Sequence, residues 1–477
     1  MMEQSEANVI LSKQNAAIIA PAGHGKTEMV ADIVSCSIGK QLVITHTNAG
    51  VESLKKRFLK KNIKKNLSNI TTIASYCMRW CNAYPNNAKF DISLDPHKDA
   101  KIYYLSIYNG MLNLLDYEFV RTIIKSTYCG VIVDEYQDCT DLQHRIFLKL
   151  NTFMRVIIFG DPLQAIFSFG REKCIDWNNI GYEIINIRTE PWRWINTNQE
   201  LGSYLSDIRI KLLPILNQKN VFLNLNSISG VITHYTPDEY NEYKIFNEIQ
   251  KMKYNDVLYL TKWEREQLEV CKSMPGIFQF DELQDCKDLY NYAADIDNAK
   301  GTQKAIVLLE FLAACCTSVN TELASYINHL REKNTNFSRI SKYCELTPIF
   351  AGICDNDISY IVNLFEWFKN HKNNPFKFYR LELFNEMFRS INYAISNDLD
   401  IYQSSVLIRN NPEFQRNRLN QFKYLSSRTL LSKGLEFDCV IIDMRREILN
   451  AREFYVAMTR AKRMIYVISP DIIILKP

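Results

Sequence analysis

No uninterrupted apolar run in this sequence approaches the ~18 residues that a membrane-spanning helix needs, which argues against a helical membrane protein. The opening residues, Met-Met-Glu-Gln-Ser-Glu, lack the charged-then-apolar order of a secretory leader. The thirteen cysteines include no Cys-x-x-Cys pair. Cys77 and Cys81 lie four apart, but no second pair and no histidine pair completes a zinc or iron–sulfur site. Cysteines scattered this way, several within apolar runs such as those of Cys129 and Cys439, read as reduced core thiols. Repeats and low-complexity tracts are also missing, and no long Gly/Ser or Pro linker separates the parts. The expectation is a soluble, cytoplasmic protein with no membrane partner.

What is present is ordinary in bulk. A chain of 477 residues with 47% hydrophobic and 23% charged content has room for two to four domains with ample cores. The formal charge of +4 is too small to imply nucleic acid by itself. Local clustering carries more information: Lys55, Lys56, Arg57, Lys60, Lys61, Lys64 and Lys65 crowd one helix-like stretch. Such a run is either a solvated face or a phosphate track, and its position in the fold has to decide.

Two motifs about a hundred residues apart carry the chemistry. In Ala20-Pro-Ala22-Gly23-His24-Gly25-Lys26-Thr27, an apolar run reading as a buried parallel strand delivers a glycine-rich loop to a helix start. The loop N–H groups would cradle phosphates, Lys26 would neutralise the β and γ phosphates, and the Thr27 hydroxyl would ligate Mg²⁺. In Val131-Ile-Val-Asp134-Glu135-Tyr-Gln137-Asp138, a second apolar strand ends in carboxylates. Asp134 would hold that Mg²⁺ through water, leaving Glu135 to polarise an attacking water. Together they describe a nucleoside-triphosphate-hydrolysing site at the carboxyl ends of parallel strands.

Strand-like and helix-like runs alternate through the first half (Ala16–Ala20, Leu42–Thr45, Gly130–Asp134, Val156–Gly160, Tyr182–Ile187). A second alternating set occupies Val231–Tyr235, Val257–Leu260, Ser427–Leu431, Cys439–Asp443 and Met464–Ser469. The fold class expected is α/β, with two P-loop-type domains on parallel sheets, each interrupted by a mainly helical insertion. The first domain would take residues 1–83 and 126–190, with a small insertion at 84–125. The second would take 191–274 and 400–477, with an insertion at 275–399.

The remaining motifs, taken in order from Gln4 to Lys462, resemble those of the UvrD/Rep-like superfamily 1 helicases, whose domains are RecA-like. The resemblance implies that Gln4 reads the adenine edge, and the Ala at the start of the P-loop is usual there. Thr45-His-Thr47-Asn48 resembles the first DNA-contacting motif, and Thr72 sits where a second is expected, without the usual aromatic-His pair. In Gly160-Asp161-Pro-Leu-Gln164-Ala-Ile-Phe167-Ser-Phe169, Gln164 would sense the γ-phosphate while Phe167 and Phe169 stack on bases. Trp192 would stack on adenine where the family usually has tyrosine, and Arg193 would reach the γ-phosphate. In Lys433-Gly434-Leu435-Glu436-Phe437-Asp438, Glu436 would bond the ribose. Leu430 replaces a DNA-contacting histidine, so no contact is carried over there. Arg460, in Tyr455-Val-Ala-Met-Thr459-Arg460, would be a second arginine finger.

The implied activity is ATP-dependent translocation on single-stranded DNA or tailed duplex, 3′→5′, with ATP and Mg²⁺. The chain is short for the family and stops soon after Arg460, so no appended nuclease is expected. A compact helicase of this kind resembles the helicase subunit of Gabija-type anti-phage systems, which works with a separate nuclease. Two other classes stay open. One is an ATP-gated DNA-sensing subunit that never unwinds duplex; the other is a P-loop enzyme acting on a small molecule.

Overall fold

The computed structural model describes residues 3–94, 99–166, 175–187, 189–282, 286–371, 375–410 and 422–477. They pack into two units. One comprises Met1–Glu239, Ser432–Glu436 and Arg445–Pro477, the other Tyr240–Leu431 and Phe437–Met444.

The first unit contains a five-stranded sheet: β1 (Asn15–Ile19), β2 (Gln41–Thr45), β3 (Ser68–Thr72), β4 (Gly130–Val133) and β5 (Val156–Gly160). Their order is β1-β5-β4-β2-β3 and every pairing is parallel. Parallel strands need both faces covered, and the near-continuous Val/Ile/Ala runs satisfy that demand. Ala16, Ile18, Val43, Ile132 and Ile157 pack against the helices Gln4–Ser12, Lys26–Cys36 and Asn48–Lys60. Their neighbours Ala17, Leu42, Ile44, Val131 and Ile158 point the other way, into helices Ile73–Ala83, Ala100–Leu114 and Asp141–Asn151. Insertion of β5 between β1 and β4 brings three polar strand ends side by side, and the functional residues collect there.

The α/β class with parallel sheets is as expected, and helices fill the stretch between β3 and β4. Some strand readings differ. The run Tyr182–Ile187 forms only an isolated bridge, Ala17 to Ile184, because its solvent side carries Glu183 and a half-exposed Ile184 and pairs no further. β3 escapes an apolar-run reading because Ser-Asn-Ile-Thr-Thr is a polar edge strand.

The second unit holds a parallel set in the order Phe437–Asp443, Val257–Thr261, Tyr424–Arg428, Gln279–Phe280. The expected strand at Ser427–Leu431 lies earlier, at Tyr424–Arg428. Its pairing ends where Arg428 meets Thr261, and the chain turns at Thr429. Between Phe280 and Tyr424 the described chain is helical, from Lys287–Asn298 to Ile401–Asn410. Stacked rings hold this bundle together, with Phe365 lying 5.8 Å from Phe311, 5.0 Å from Phe384 and 5.7 Å from Phe388.

One buried ion pair fastens the bundle to its strands. Arg380 donates from Nε and Nη2 to the two oxygens of Glu282, 2.7 Å each, and from Nη1 to Asp288 at 2.8 Å. The Glu282 side chain is 2% exposed. Removing one partner of a buried pair strands the other charge, so Arg380→Met is expected to cost about 3–5 kcal/mol of stability. Adding Glu282→Leu should recover most of that loss, because no buried charge then remains unpaired. Chemical denaturation of the two variants reads the difference; equal losses would mean that the arginine's packing, rather than its charge, holds the bundle.

Candidate nucleotide site

β1 hands the chain to the glycine-rich loop, with the Ala20 N–H donating to the Gly160 carbonyl at 3.1 Å. Gly23 and Gly25 adopt φ values of +71° and +81°, a region that side chains with a Cβ rarely enter. Space makes the same demand: a Cβ on Gly23 would lie 2.6 Å from the Trp194 ring. Helix Lys26–Cys36 starts directly after Gly25, so its first free N–H groups face the loop. Lys26 is buried, and its Nζ donates to the carbonyls of Ala20 (3.0 Å) and Pro21 (3.3 Å). Gly23→Ala would add roughly 1–3 kcal/mol of backbone strain. ATP affinity is therefore expected to fall by about tenfold or more, as read by titration with a fluorescent nucleotide. Unchanged affinity would mean that Trp194 yields freely.

The second motif reaches the same place. Thr27 Oγ1 donates to Asp134 Oδ2 at 3.2 Å, joining residues 107 apart in sequence. Burial, then the adjacent Glu135, pushes the Asp134 carboxyl above the ordinary carboxylate range. Glu135 sits at φ +57°, uncommon for a residue with a side chain, and its N–H donates to Asp134 Oδ1 at 3.0 Å. Burial alone would raise the Glu135 pKa, but Lys26, Lys433, a hydrogen bond from Gln137 and Arg460 together hold it below the ordinary carboxylate value. Gln137 is fully buried; its Nε2 donates to Glu135 and its Oε1 accepts from the Asp161 N–H at 3.0 Å. It thereby ties β4's carboxylate to the end of β5.

A hydroxyl and a carboxylate in contact are hard oxygen donors suited to Mg²⁺, which usually completes its shell with water and phosphate oxygens. Among the described residues, no group of three or more His, Cys, Asp or Glu could hold a metal ion. The donor set therefore fits a cation shared with a polyphosphate rather than a protein cage.

Cationic residues from later in the chain complete the site. Arg193 packs its guanidinium 5.4 Å from the Trp194 ring centroid, donates from Nη2 to Glu436 Oε1 at 2.6 Å, and from Nη1 to the Thr459 carbonyl. Its backbone N–H donates to the Gly23 carbonyl at 3.1 Å. Trp194 is buried with its indole N–H on the Ala461 carbonyl at 2.8 Å, while Trp192 is 50% exposed beside Gly25. Arg460 is buried, with Nε on the Val456 carbonyl (2.9 Å), Nη1 on the Leu435 carbonyl (3.2 Å) and Nη2 on Thr459 Oγ1 (3.2 Å). Burial, then the neighbouring Arg193, lowers its pKa to about 10, so it stays charged at neutral pH. Lys433 places Nζ 2.6 Å from both Asp138 oxygens and 2.7 Å from the Gln164 carbonyl.

The structure thus brings together Ala22, Gly23, Gly25, Lys26, Thr27, Asp134, Glu135, Arg193, Glu436 and Arg460, with Gln164 buried at the end of β5. His24 turns away to Thr189 Oγ1 (2.9 Å), and burial, then Lys26, lowers its pKa to about 4, so it is neutral. Gln4 opens its helix as an exposed residue. Of the expected DNA contacts, Phe167 and Phe169 lie outside the described residues. Thr45 is buried at the end of β2, and the Thr47 and Thr72 hydroxyls cap helices by accepting from the Gly50 and Ser75 N–H groups. Asn48 is exposed. In the basic run, Arg57 and Lys61 pair with Glu28 (2.7 Å each) on the P-loop helix, whereas Lys56, Lys60, Lys64 and Lys65 face solvent.

Gln137, Lys433 and Tyr455 all stand inside motifs visible in the sequence, but their partners are not. Trp194 and Arg209 carry no sequence signal beyond a buried aromatic and a lone helical arginine.

Comparison with curated proteins gives no significant match. A family model described as an AAA domain matches residues 4–170, the span that holds the P-loop, Asp134, Glu135 and Gln164. The chain therefore carries a P-loop domain of the nucleoside-triphosphatase type.

Proposed function

We propose that the protein is an ATP-driven motor of the UvrD/Rep-like kind that moves along single-stranded DNA, 3′→5′, and opens tailed duplexes. The observation that carries the reading is the Thr27–Asp134 contact, which joins the phosphate loop to the carboxylate motif inside a shell of Lys26, Lys433, Arg193 and Arg460. In this reading Lys26 and the loop N–H groups bind the β and γ phosphates, and Glu135 accepts a hydrogen bond from the attacking water and orients it. Its depressed pKa keeps it ionised for that task. Arg193 and Arg460 meet the charge that develops on the transferred phosphoryl group. Mg²⁺ held by Thr27 and Asp134 supplies further charge neutralisation when bound. Exposed Asn48 and the solvent-facing lysines of the following helix support a nucleic-acid track at the carboxyl end of β2. The small helical insertion after β3 supports a subunit that works beside a separate nuclease, as in Gabija-type defence.

The contact of Arg193 with Glu436 favours a second reading, an ATP-gated sensor. An arginine already paired must be released before it can serve a phosphate. ATP turnover with and without single-stranded DNA, run beside strand displacement on tailed duplexes, separates the readings. Stimulated turnover with displacement is expected. Stimulation without displacement would favour the sensor, and turnover indifferent to DNA would remove both.

A further inference from the structure

A buried polar network lies beneath the phosphate loop and uses an arginine that none of the motifs contains. Arg209 belongs to helix Gln199–Leu212, whose apolar face (Leu201, Leu205, Ile208, Leu212) is buried in the first unit. Its Nη2 lies 2.9 Å from Asp161 Oδ1, and the Asp161 side chain is fully buried. The same Asp161 oxygen accepts from the Leu163 N–H at 3.3 Å, which shapes the turn leading to Gln164. The Tyr455 hydroxyl is almost fully buried; burial, then the Asp161 carboxylate, raises its pKa and the Arg209 guanidinium opposes the rise, so both charges lie near it. That hydroxyl accepts a hydrogen bond from the Ala22 N–H of the phosphate loop at 3.3 Å. Tyr455 stands on helix Ala451–Met458, five residues before Arg460, whose Nε turns back to donate to the Val456 carbonyl of that same helix. One cluster therefore touches the phosphate loop, the Gln164 turn and the helix that sets Arg460.

Buried charges are costly unless paired, and a well-packed apolar set would stabilise this junction at least as well as an ion pair. An ionic cluster supplies directionality instead: each hydrogen bond fixes an angle between two backbone segments. We infer that Arg209 and Tyr455 are positioning residues for the nucleotide site, holding the Ala22 end of the phosphate loop in register with the helix that presents Arg460. The inference rests on the ATP-hydrolysis reading above. It makes Tyr455 act through Arg460, so its contribution belongs to the transition state more than to ATP binding.

Tyr455→Phe removes one oxygen and leaves the ring in place; Arg209→Met removes the fork. With the full-length protein, steady-state ATP hydrolysis and thermal melting are measured for each variant. The same two changes are then made in an Arg460→Ala background. For Tyr455→Phe, kcat is expected to fall by about tenfold with KM for ATP changed less than about twofold, the size of one charge-assisted hydrogen bond. Arg209→Met should match or exceed that loss, and Arg209→Lys should restore part of it. In the Arg460→Ala background, neither change should lower kcat much further. Unaltered kcat in Tyr455→Phe, a loss confined to KM, or a full further loss in the Arg460→Ala background would each overturn the assignment. If Arg209→Met melts too low to assay, Tyr455→Phe alone decides. A wild-type protein that hydrolyses no ATP would refute the underlying site reading instead, so the two failures are distinguishable.

Discussion

Glu135→Gln is expected to abolish ATP turnover, by roughly 10²–10⁴-fold, while ATP still binds. The substitution is nearly isosteric, and its amide oxygen can still accept from Gln137, so the loop geometry should survive. What disappears is a carboxylate that the cationic shell keeps ionised at neutral pH. An amide accepts a weaker hydrogen bond from water and cannot take its proton. Lys26 and the loop N–H groups remain to hold the nucleotide. A pre-steady-state assay with labelled ATP reads both quantities: bound ATP near the wild-type level and no hydrolysed product. Turnover near the wild-type rate would remove Glu135 from the reaction and return its strained backbone to a structural role.

The parts of this site that sequence reading reached are those imposed locally. Glycines at positive φ, a lysine and threonine at a helix start, and carboxylates at the end of an apolar strand each announce their own backbone geometry. β1, β2, β4 and β5 were legible for the same reason, because a doubly covered parallel strand must be apolar on both faces. β3 was not, since an edge strand of Ser-Asn-Ile-Thr-Thr satisfies its hydrogen bonds without an apolar signal. The network of Arg209, Asp161 and Tyr455 was invisible because its members are brought together only by folding; the Ala22–Tyr455 contact spans 433 residues. Likewise, the motif resemblance that marks Thr47 and Thr72 as DNA contacts does not announce that their hydroxyls also cap the helices that follow. A hydroxyl at a strand-to-helix junction can accept from the helix N–H and still donate its own proton to a phosphate oxygen.

The basic run shows a similar division. Arg57 and Lys61 are neutralised by Glu28, and Lys61 also by Asp32, so their task is to pack helix Asn48–Lys60 on the P-loop helix. Only the outward lysines remain for phosphate. The salt dependence of any DNA binding should accordingly be shallower than seven charges would give.

Arg460→Ala is expected to lower kcat by about 10³-fold or more, the range of arginine fingers, with a much smaller loss of ATP affinity. Arg460 is anchored by three hydrogen bonds to its own helix turn and the Leu435 carbonyl, which leaves part of its fork free and its direction fixed. Arg460 is buried beside the partly buried Arg193; burial first, then that neighbouring like charge, lowers the Arg460 pKa, and an anion between the two guanidiniums relieves both costs. The relief grows with the charge developing on the phosphoryl oxygens, so it falls on the transition state. Arg460→Lys should rescue little, because an ammonium lacks the planar fork. Arg193→Ala should cost less than Arg460→Ala, since Arg193 must first leave Glu436, and losing that pair offsets part of the gain it brings to hydrolysis. A variant that binds ATP weakly yet turns over normally at saturation would show that Arg460 serves ground-state binding, and the finger assignment would fall with it.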